Sequence, residues 1–249
     1  MKKEFYDMRV RIIGVTITLL VLFFVLAPFQ KFTVSMLEGY SGNPQLEKFL
    51  PGSMLNRLKE WNFYINSQWF GKNFGQMIPI IGIIMAFPLF SREIENGTMA
   101  FLLVRRNRKL VFRDKFLTGL ISLVLILVLA SLLPIIYSFL FNKDYRYITG
   151  IKFLVHSLFA GLLWYSITLL YSVVFDDQVK PLLAGLGTLA ITTVAGIIKP
   201  LRILNTYAYA LGNTIFQKNS IDLKYTIGVI IVSVLIFIVA YRMFLKKEI

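Results

Sequence analysis

The residues best placed to do chemistry lie between Ser91 and Lys115. Two carboxylates, Glu93 and Glu95, are followed by Asn96-Gly97, a turn or helix-stop signal. Thr98 comes next, and its hydroxyl can accept from an exposed backbone N–H and so cap a new short helix. Met99, Phe101, Leu102 and Leu103 give that helix an apolar face. Arg105, Arg106, Arg108, Lys109, Arg113 and Lys115 follow. Carboxylates at a turn beside a partly apolar, basic projection suit ion pairing and docking. The alternative is a charged loop that only sets topology. Rival chemistries find little material elsewhere. The chain has no cysteine, hence no disulfide and no thiolate. A single histidine, His156, excludes a His-rich metal site. No Gly-x-x-x-x-Gly-Lys-Ser/Thr loop is present, and Gly71-Lys72 lacks that context.

The elements that must position this segment are apolar. Six long runs, about 12–29, 74–90, 116–141, 153–175, 181–198 and 225–244, carry no Asp, Glu, Lys or Arg in their depths. A bilayer core of about 30 Å needs about 20 apolar helical residues, so the expected fold is an all-α membrane protein with six transmembrane helices. The chain has 249 residues, 57% of them hydrophobic, with mean hydropathy +0.68. Ordinary soluble domains are about 45–50% apolar. Six helices and their loops use nearly all of the length, so residues 1–249 are expected to form one transmembrane domain. The first run exceeds a usual signal-peptide core and has no small-residue cleavage site after it; it is expected to stay as helix one. A net charge of +14 fits basic loops beside anionic headgroups better than nucleic acid, which is not an expected partner.

Lys and Arg near helix ends favour the inner side. Lys2, Lys3, Arg9 and Arg11, the dense loop from Arg92 to Lys115, and Arg242, Lys246 and Lys247 fall on one side of a six-span layout. Both termini are therefore expected in the cytoplasm of a multi-pass plasma-membrane protein. Residues 2–9 read as a short interfacial helix before helix one, with Phe5, Met8 and Tyr6 toward lipid. The outer loop 32–72 has amphipathic content around Leu46, Glu47, Lys48, Phe49, Leu50, Met54, Leu55 and Leu58, broken at Pro51-Gly52. Trp61, Tyr64 and Trp69 follow, as interface anchors or, alternatively, a gate. Residues 199–224 are too apolar for a plain loop and read as short helices on the outer face.

The segment 91–115 resembles the permease subunits of type-2 ATP-binding-cassette (ABC) exporters. That family commonly shows an acidic pair, Gly-Thr, Leu-Leu, an Arg and a Lys seven residues later. Here these are Glu93, Glu95, Gly97, Thr98, Leu102, Leu103, Arg108 and Lys115. The family often has a proline three residues before that arginine, where this chain has Arg105. The motif spans about a tenth of the chain, and the six-run layout extends the likeness over its length. The resemblance implies a cytoplasmic coupling helix between helices two and three, carried by Glu93, Glu95, Gly97, Thr98, Met99, Phe101, Leu102 and Arg108. It would sit in a groove of a separate ABC ATPase subunit, with Glu93 and Glu95 meeting basic groups there or fixing the end of helix two. It also implies a second permease copy or paralogue. The chain itself would carry no cofactor, since ATP and Mg would be bound by the ATPase, and it would not be an enzyme.

Within the apolar runs, Ala184, Thr188, Thr192 and Gly196 form a small-residue stripe at four-residue spacing. It suits close helix packing inside the chain or against a second permease. Pro79, Pro88 and Pro134 remove backbone donors and can kink helices. Helix four is the most polar span, and Trp164, Tyr165, Thr168 and Tyr171 are candidate pathway-lining residues. Ordinary interhelical hydrogen bonding is the alternative. His156 reads as a satisfied interfacial residue. The expected function is the translocation subunit of an ATP-driven exporter for an amphipathic or hydrophobic substrate: a peptide or toxin, a drug or a lipid. A secondary transporter would need an ionisable group inside the membrane. An intramembrane enzyme would need acids, bases or ligands at one depth. A non-transporting sensor or assembly subunit would share this sequence pattern.

Overall fold

The structure, a computed structural model, describes residues 2–39 and 52–248. Every regular element among them is helical. Lipid offers no partner to backbone groups, so apolar spans must satisfy them internally. In chain order the elements are α1 (Lys2–Leu26), α2 (Gln30–Gly39), α3 (Gly52–Lys59) and α4 (Trp61–Ile65), then a π-helical stretch (Asn66–Asn73) leading into α5 (Phe74–Ala86). Next come α6 (Ser91–Glu95), α7 (Thr98–Arg105), α8 (Arg108–Leu140), α9 (Tyr147–Val174) and α10 (Val179–Ala195). A 3-10 turn (Lys199–Leu204), α11 (Thr206–Ala210), α12 (Asn213–Lys218) and α13 (Leu223–Lys246) complete the chain.

Among the described residues, five helical stretches are long and apolar enough to cross a membrane: Lys3–Leu26, Trp61–Glu95, Arg108–Leu140, Tyr147–Val174 and Leu223–Lys246. The sixth apolar run becomes α10, with 17 residues, about 26 Å at about 1.5 Å each, short of an about 30 Å core. The long helices exceed their apolar runs. α8 begins at Arg108, not near Lys115, because the Asn107 side chain accepts from Lys109 N at 3.0 Å and caps it. The expected separate interfacial helix at 2–9 is absent. α1 is one helix from Lys2 to Leu26, and nothing in residues 2–12 is a Gly or Pro that would break it. Met8, expected toward lipid, is buried, while Tyr6 is exposed beneath the Arg9 guanidinium, 3.8 Å from its ring centre.

α9 is the central post, packed on α5, α8, α13 and α10. Small residues set how closely it is approached. A Cβ on Gly82 of α5 would lie 2.9 Å from the Gly161 carbonyl oxygen and 3.0 Å from Trp164 Cβ. Contacts between remote residues bring the start of α1, the α6–α8 region, the Val174–Gln178 turn and the end of α13 to one end of the bundle. This is the basic end. Short helices occupy the opposite end, and residues 40–51, which carry much of the amphipathic pattern of the first long loop, lie outside the described residues.

The prolines show how the interior is satisfied. A proline leaves the carbonyl four residues earlier without its helical donor. Pro88 does so for Ile84, whose oxygen accepts from Arg11 Nη1 at 3.4 Å. Pro134 does so for Ala130, whose oxygen accepts from the Trp69 indole at 3.0 Å. The helix breaks at residues 87–90, and the Phe90 and Ser91 amides donate to Ser172 Oγ at 3.0 and 3.3 Å. Pro88 thus lies in a turn, outside helix two. Trp61, Tyr64 and Trp69, read as interface anchors or a gate, are all buried. The Trp61 indole donates to Ser138 Oγ at 2.6 Å, and the Tyr64 hydroxyl to Leu26 O at 3.0 Å. Tyr145 is buried beside them and donates to Asn66 Oδ1 at 3.0 Å. Burial pushes its phenol pKa up, which keeps it a donor.

The α5–α9 approach makes a prediction. Gly82→Val should cost about 1–3 kcal/mol by overpacking, read as a lowered midpoint in thermal unfolding of the detergent-purified protein. Gly187→Ala is the control, since no atom lies within 4 Å of a Cβ there, and it should leave the midpoint unchanged or raise it. Equal midpoints for the two variants would refute the close approach.

Candidate functional site

The basic end is built around one buried cation. Lys115, on the second turn of α8, has a side chain only 2% exposed. Its Nζ donates to Glu4 Oε2 of α1 at 2.9 Å and to Glu93 Oε1 of α6 at 3.4 Å. Lys3 Nζ lies 3.5 Å from the same Glu93 oxygen. Glu4, Asp7 and Glu93 bring carboxylate oxygens within 4.8 Å of one another, and the Lys115 ammonium supplies the counter-charge to two of them. An unpaired buried charge is costly, so this cluster holds α1, α6 and α8 in one arrangement.

From Glu93 the chain turns outward. Asn96 N donates to Arg92 O at 3.1 Å and Gly97 N to Ile94 O at 3.0 Å. Gly97 then takes a left-handed φ of +68° with open space around it. Glycine is needed there for the backbone conformation, not for room. Thr98 does not cap α7 by accepting. The cap position belongs to Gly97, and the Thr98 hydroxyl instead donates to the Glu93 carboxylate and, at 3.3 Å, to Glu93 O. The base of α7 is thereby tied to the ion cluster. Met99 is fully buried, and Leu102 and Leu103 pack against the core. Phe101, by contrast, is 72% exposed and Val104 87% exposed. These two stand three residues apart and so share a helix face.

The other predicted residues take separate stations. Glu95 is exposed, and its Oε2 accepts from Gln178 N at 3.2 Å and Gln178 Nε2 at 2.7 Å, joining α6 to the α9–α10 turn. Arg108 donates through Nη1 to Phe244 O at 3.3 Å and to Lys247 O, fastening α8 to the end of α13. Lys247 Nζ in turn donates to Val173 O at 2.8 Å and pairs with Asp176 at 2.6 Å. The structure therefore brings Glu93, Thr98 and Met99 together. It places Glu95 and Arg108 at neighbouring seams and leaves Phe101 on the surface.

Trp164, Tyr165 and Thr168 are buried inside the protomer, and Tyr171 is half-buried. The Tyr165 hydroxyl donates to Phe116 O at 2.7 Å, and Tyr171 shares a 2.8 Å hydrogen bond with Thr188. Trp164 Nε1 and Thr168 Oγ1 are buried without a partner. Ala184, Thr188, Thr192 and Gly196 are half-buried along α10. Thr188 shares its hydrogen bond with Tyr171, and a Cβ on Gly196 would lie 2.4 Å from Asn205 Cβ, so these two of the four touch other elements of the same chain. His156, read as interfacial, is buried, with Nε2 2.6 Å from Tyr209 O.

Sequence reasoning missed Glu4, Gln178 and Val104. The first two act across 111 and 83 residues, and no local pattern announces them. Val104 could have been found from its i,i+3 relation to Phe101.

A multi-helix membrane protein with a charged, anchored projection at one end is the class these features define. The whole chain, residues 1–249, matches the family described as ABC-2 family transporter protein. The protein belongs to that family and is an ABC permease subunit, a type of membrane subunit that is generally non-catalytic and served by a partner ABC ATPase. No curated protein and no solved structure matches it.

The ion cluster yields a second prediction. Lys115→Met should destabilise the protein by about 1–3 kcal/mol, because it leaves the part-buried Glu4 without its cation and Glu93 with only Lys3 and Thr98. Adding Glu4→Gln and Glu93→Gln should recover much of the loss. Denaturant titration in detergent reads both, and an unchanged Lys115→Met midpoint would show that the cluster does not hold the fold.

Proposed function

We propose that this chain is the translocation subunit of an ATP-driven exporter, moved by a separate ATPase subunit that docks on α6–α7. The observation that carries the reading is the split character of α7. Glu93, Thr98 and Met99 lock its base into the bundle, while Phe101 and Val104 stand out in solvent. Exposed apolar pairs rimmed by charge mark interaction surfaces, and Arg105 and Arg106 supply the rim. A push on this surface has two rigid routes inward. One runs through Glu93 and Lys115 to α8 and α1. The other runs through Glu95 and Gln178 to the α9–α10 turn.

In this reading six helices cross the membrane, α10 with its flanking residues being the sixth, and the basic end with both termini is cytoplasmic. Two permeases, identical or paralogous, flank the path in the plasma membrane. ATP and Mg are bound by the ATPase. The substrate is amphipathic or hydrophobic: a peptide or toxin, a drug or a lipid. Trp164, Tyr165, Thr168 and Tyr171 are the proposed lining. The unpartnered Trp164 Nε1 and Thr168 Oγ1 are groups a substrate would satisfy once the helices part.

Co-expression with the ATPase encoded beside it tests docking. Val104→Asp, alone and with Phe101→Asp, should abolish co-purification of the ATPase while leaving the permease's thermal midpoint unchanged, since both side chains are exposed. Retention of the ATPase by a folded double variant would remove α7 as the docking element.

A further inference from the structure

At the end opposite the ion cluster, an apolar groove of about 620 Å³ opens between α9, α10, the 3-10 turn and α13. Leu163, Ile167, Leu204 and Val232 form its walls. The Tyr225 hydroxyl donates to Ile203 O at 2.8 Å and holds the 3-10 turn against α13 as one side of it. Volumes of about 300–1,000 Å³, mainly apolar with a few placed polar groups, are typical of small-ligand sites.

Three polar groups on this lining have unmet capacity. Thr206 Oγ1 is buried without a hydrogen-bond partner. Asp222 commits Oδ1 to the amide of Tyr225 at 3.1 Å, capping α13, while Oδ2 has no partner among the described residues. Lys224 is exposed and forms no ion pair among the described residues. All three border the same groove. Asp222 caps α13 and Lys224 sits in its first turn, so a negative and a positive group both border the groove where the apolar part begins.

The length of the groove is informative. It follows α13 from Asp222 to Val232, about 15 Å at about 1.5 Å per residue. That is half of an about 30 Å hydrocarbon core. A slot one leaflet deep, apolar along its length and doubly charged only at its mouth, has the polarity of a lipid standing in a bilayer.

We propose that this groove is a specific site for one zwitterionic phospholipid. An acyl chain lies against Leu163, Ile167 and Val232. The phosphate meets Lys224 and the ammonium meets Asp222 Oδ2. The Thr206 hydroxyl donates to an ester or phosphate oxygen. Charge complementarity selects this occupant: a purely anionic head would leave Asp222 opposed, and an uncharged apolar molecule would leave all three polar groups unanswered. The site concerns the resident lipid, and it stands whether or not the chain exports anything, so its test needs no ATPase.

The full-length protein is reconstituted into vesicles of phosphatidylethanolamine and phosphatidylglycerol. A trace of phosphatidylethanolamine carries a photoactivatable diazirine on its acyl chain. After irradiation, mass spectrometry compares labelling of peptides around 203–206 and 228–232 with labelling of the exposed α1 face at Ile13, Ile17 and Val21, which reports bulk lipid. Groove labelling is expected to exceed the α1 level several-fold. Gly228→Phe should bring it down to that level, because it fills a position with no neighbour within 4 Å of a Cβ. Gly228→Leu, a smaller plug, serves if the Phe variant fails to fold. Asp222→Asn with Lys224→Gln should remove the preference for this probe over a phosphatidylglycerol probe of the same chain. Groove labelling equal to the α1 face, labelling that survives the plug, or no change of head-group preference would each overturn the proposal.

Discussion

The Lys115 ammonium sits where water scarcely reaches, and a lone cation there would cost several kcal/mol. Its two carboxylates arrive on other elements, Glu4 from the first turn of α1 and Glu93 from α6. The pairing therefore dictates geometry as much as it stabilises it: three helix ends must meet for the charge to be tolerated. Glu93 spends its remaining capacity on Thr98, which fixes where α7 leaves the bundle. The neighbouring seams through Arg108, Glu95 and Lys247 extend the same end outward to α9, α10 and α13. The base of α7 is thus tied into a connected set of ion pairs and charged hydrogen bonds.

Deeper in the bundle the governing rule changes from charge pairing to backbone satisfaction. Pro88 and Pro134 each free a carbonyl that lipid cannot bind, and each is claimed by a long side chain from another helix, Arg11 for Ile84 and Trp69 for Ala130. The broken stretch at 87–90 is tolerated for the same reason, since Ser172 accepts from both Phe90 and Ser91. This break stands directly above α6. The helix that carries the projection is thus interrupted next to it, which separates the position of α6 from the axis of α5.

The two ends of the molecule differ in kind. The basic end is held by ion pairs, and α7 carries an exposed apolar pair outward from it. The opposite end is held by hydrogen bonds from Trp61, Tyr64, Trp69 and Tyr209 to neighbouring elements and by Lys152 donating to Asn219. There an apolar groove opens with charge only at its mouth.

Much of this was legible in the residues. Apolar runs without charge placed the long helices, because the energetics of burial act on composition over a window and need no partner. Asn96-Gly97 placed the turn, and the left-handed φ at Gly97 is a local requirement that only the local chain can meet. The same reading failed at Met8, Trp61, Tyr64 and Trp69, which composition assigns to a membrane interface and the bundle takes inside. It failed again at Thr98, whose hydroxyl serves a carboxylate instead of a helix end, and in the start of α8, where an Asn cap outweighs a run of charge. The sequence by itself determined the helices, the turn and the family, all properties carried by neighbouring residues. Only the tertiary structure decided that Lys115 belongs to Glu4 and Glu93, and that Trp69 answers Pro134. Those outcomes rest on pairings across tens of residues, and a long-range pairing is set by how helices pack and not by the order of residues along any one of them.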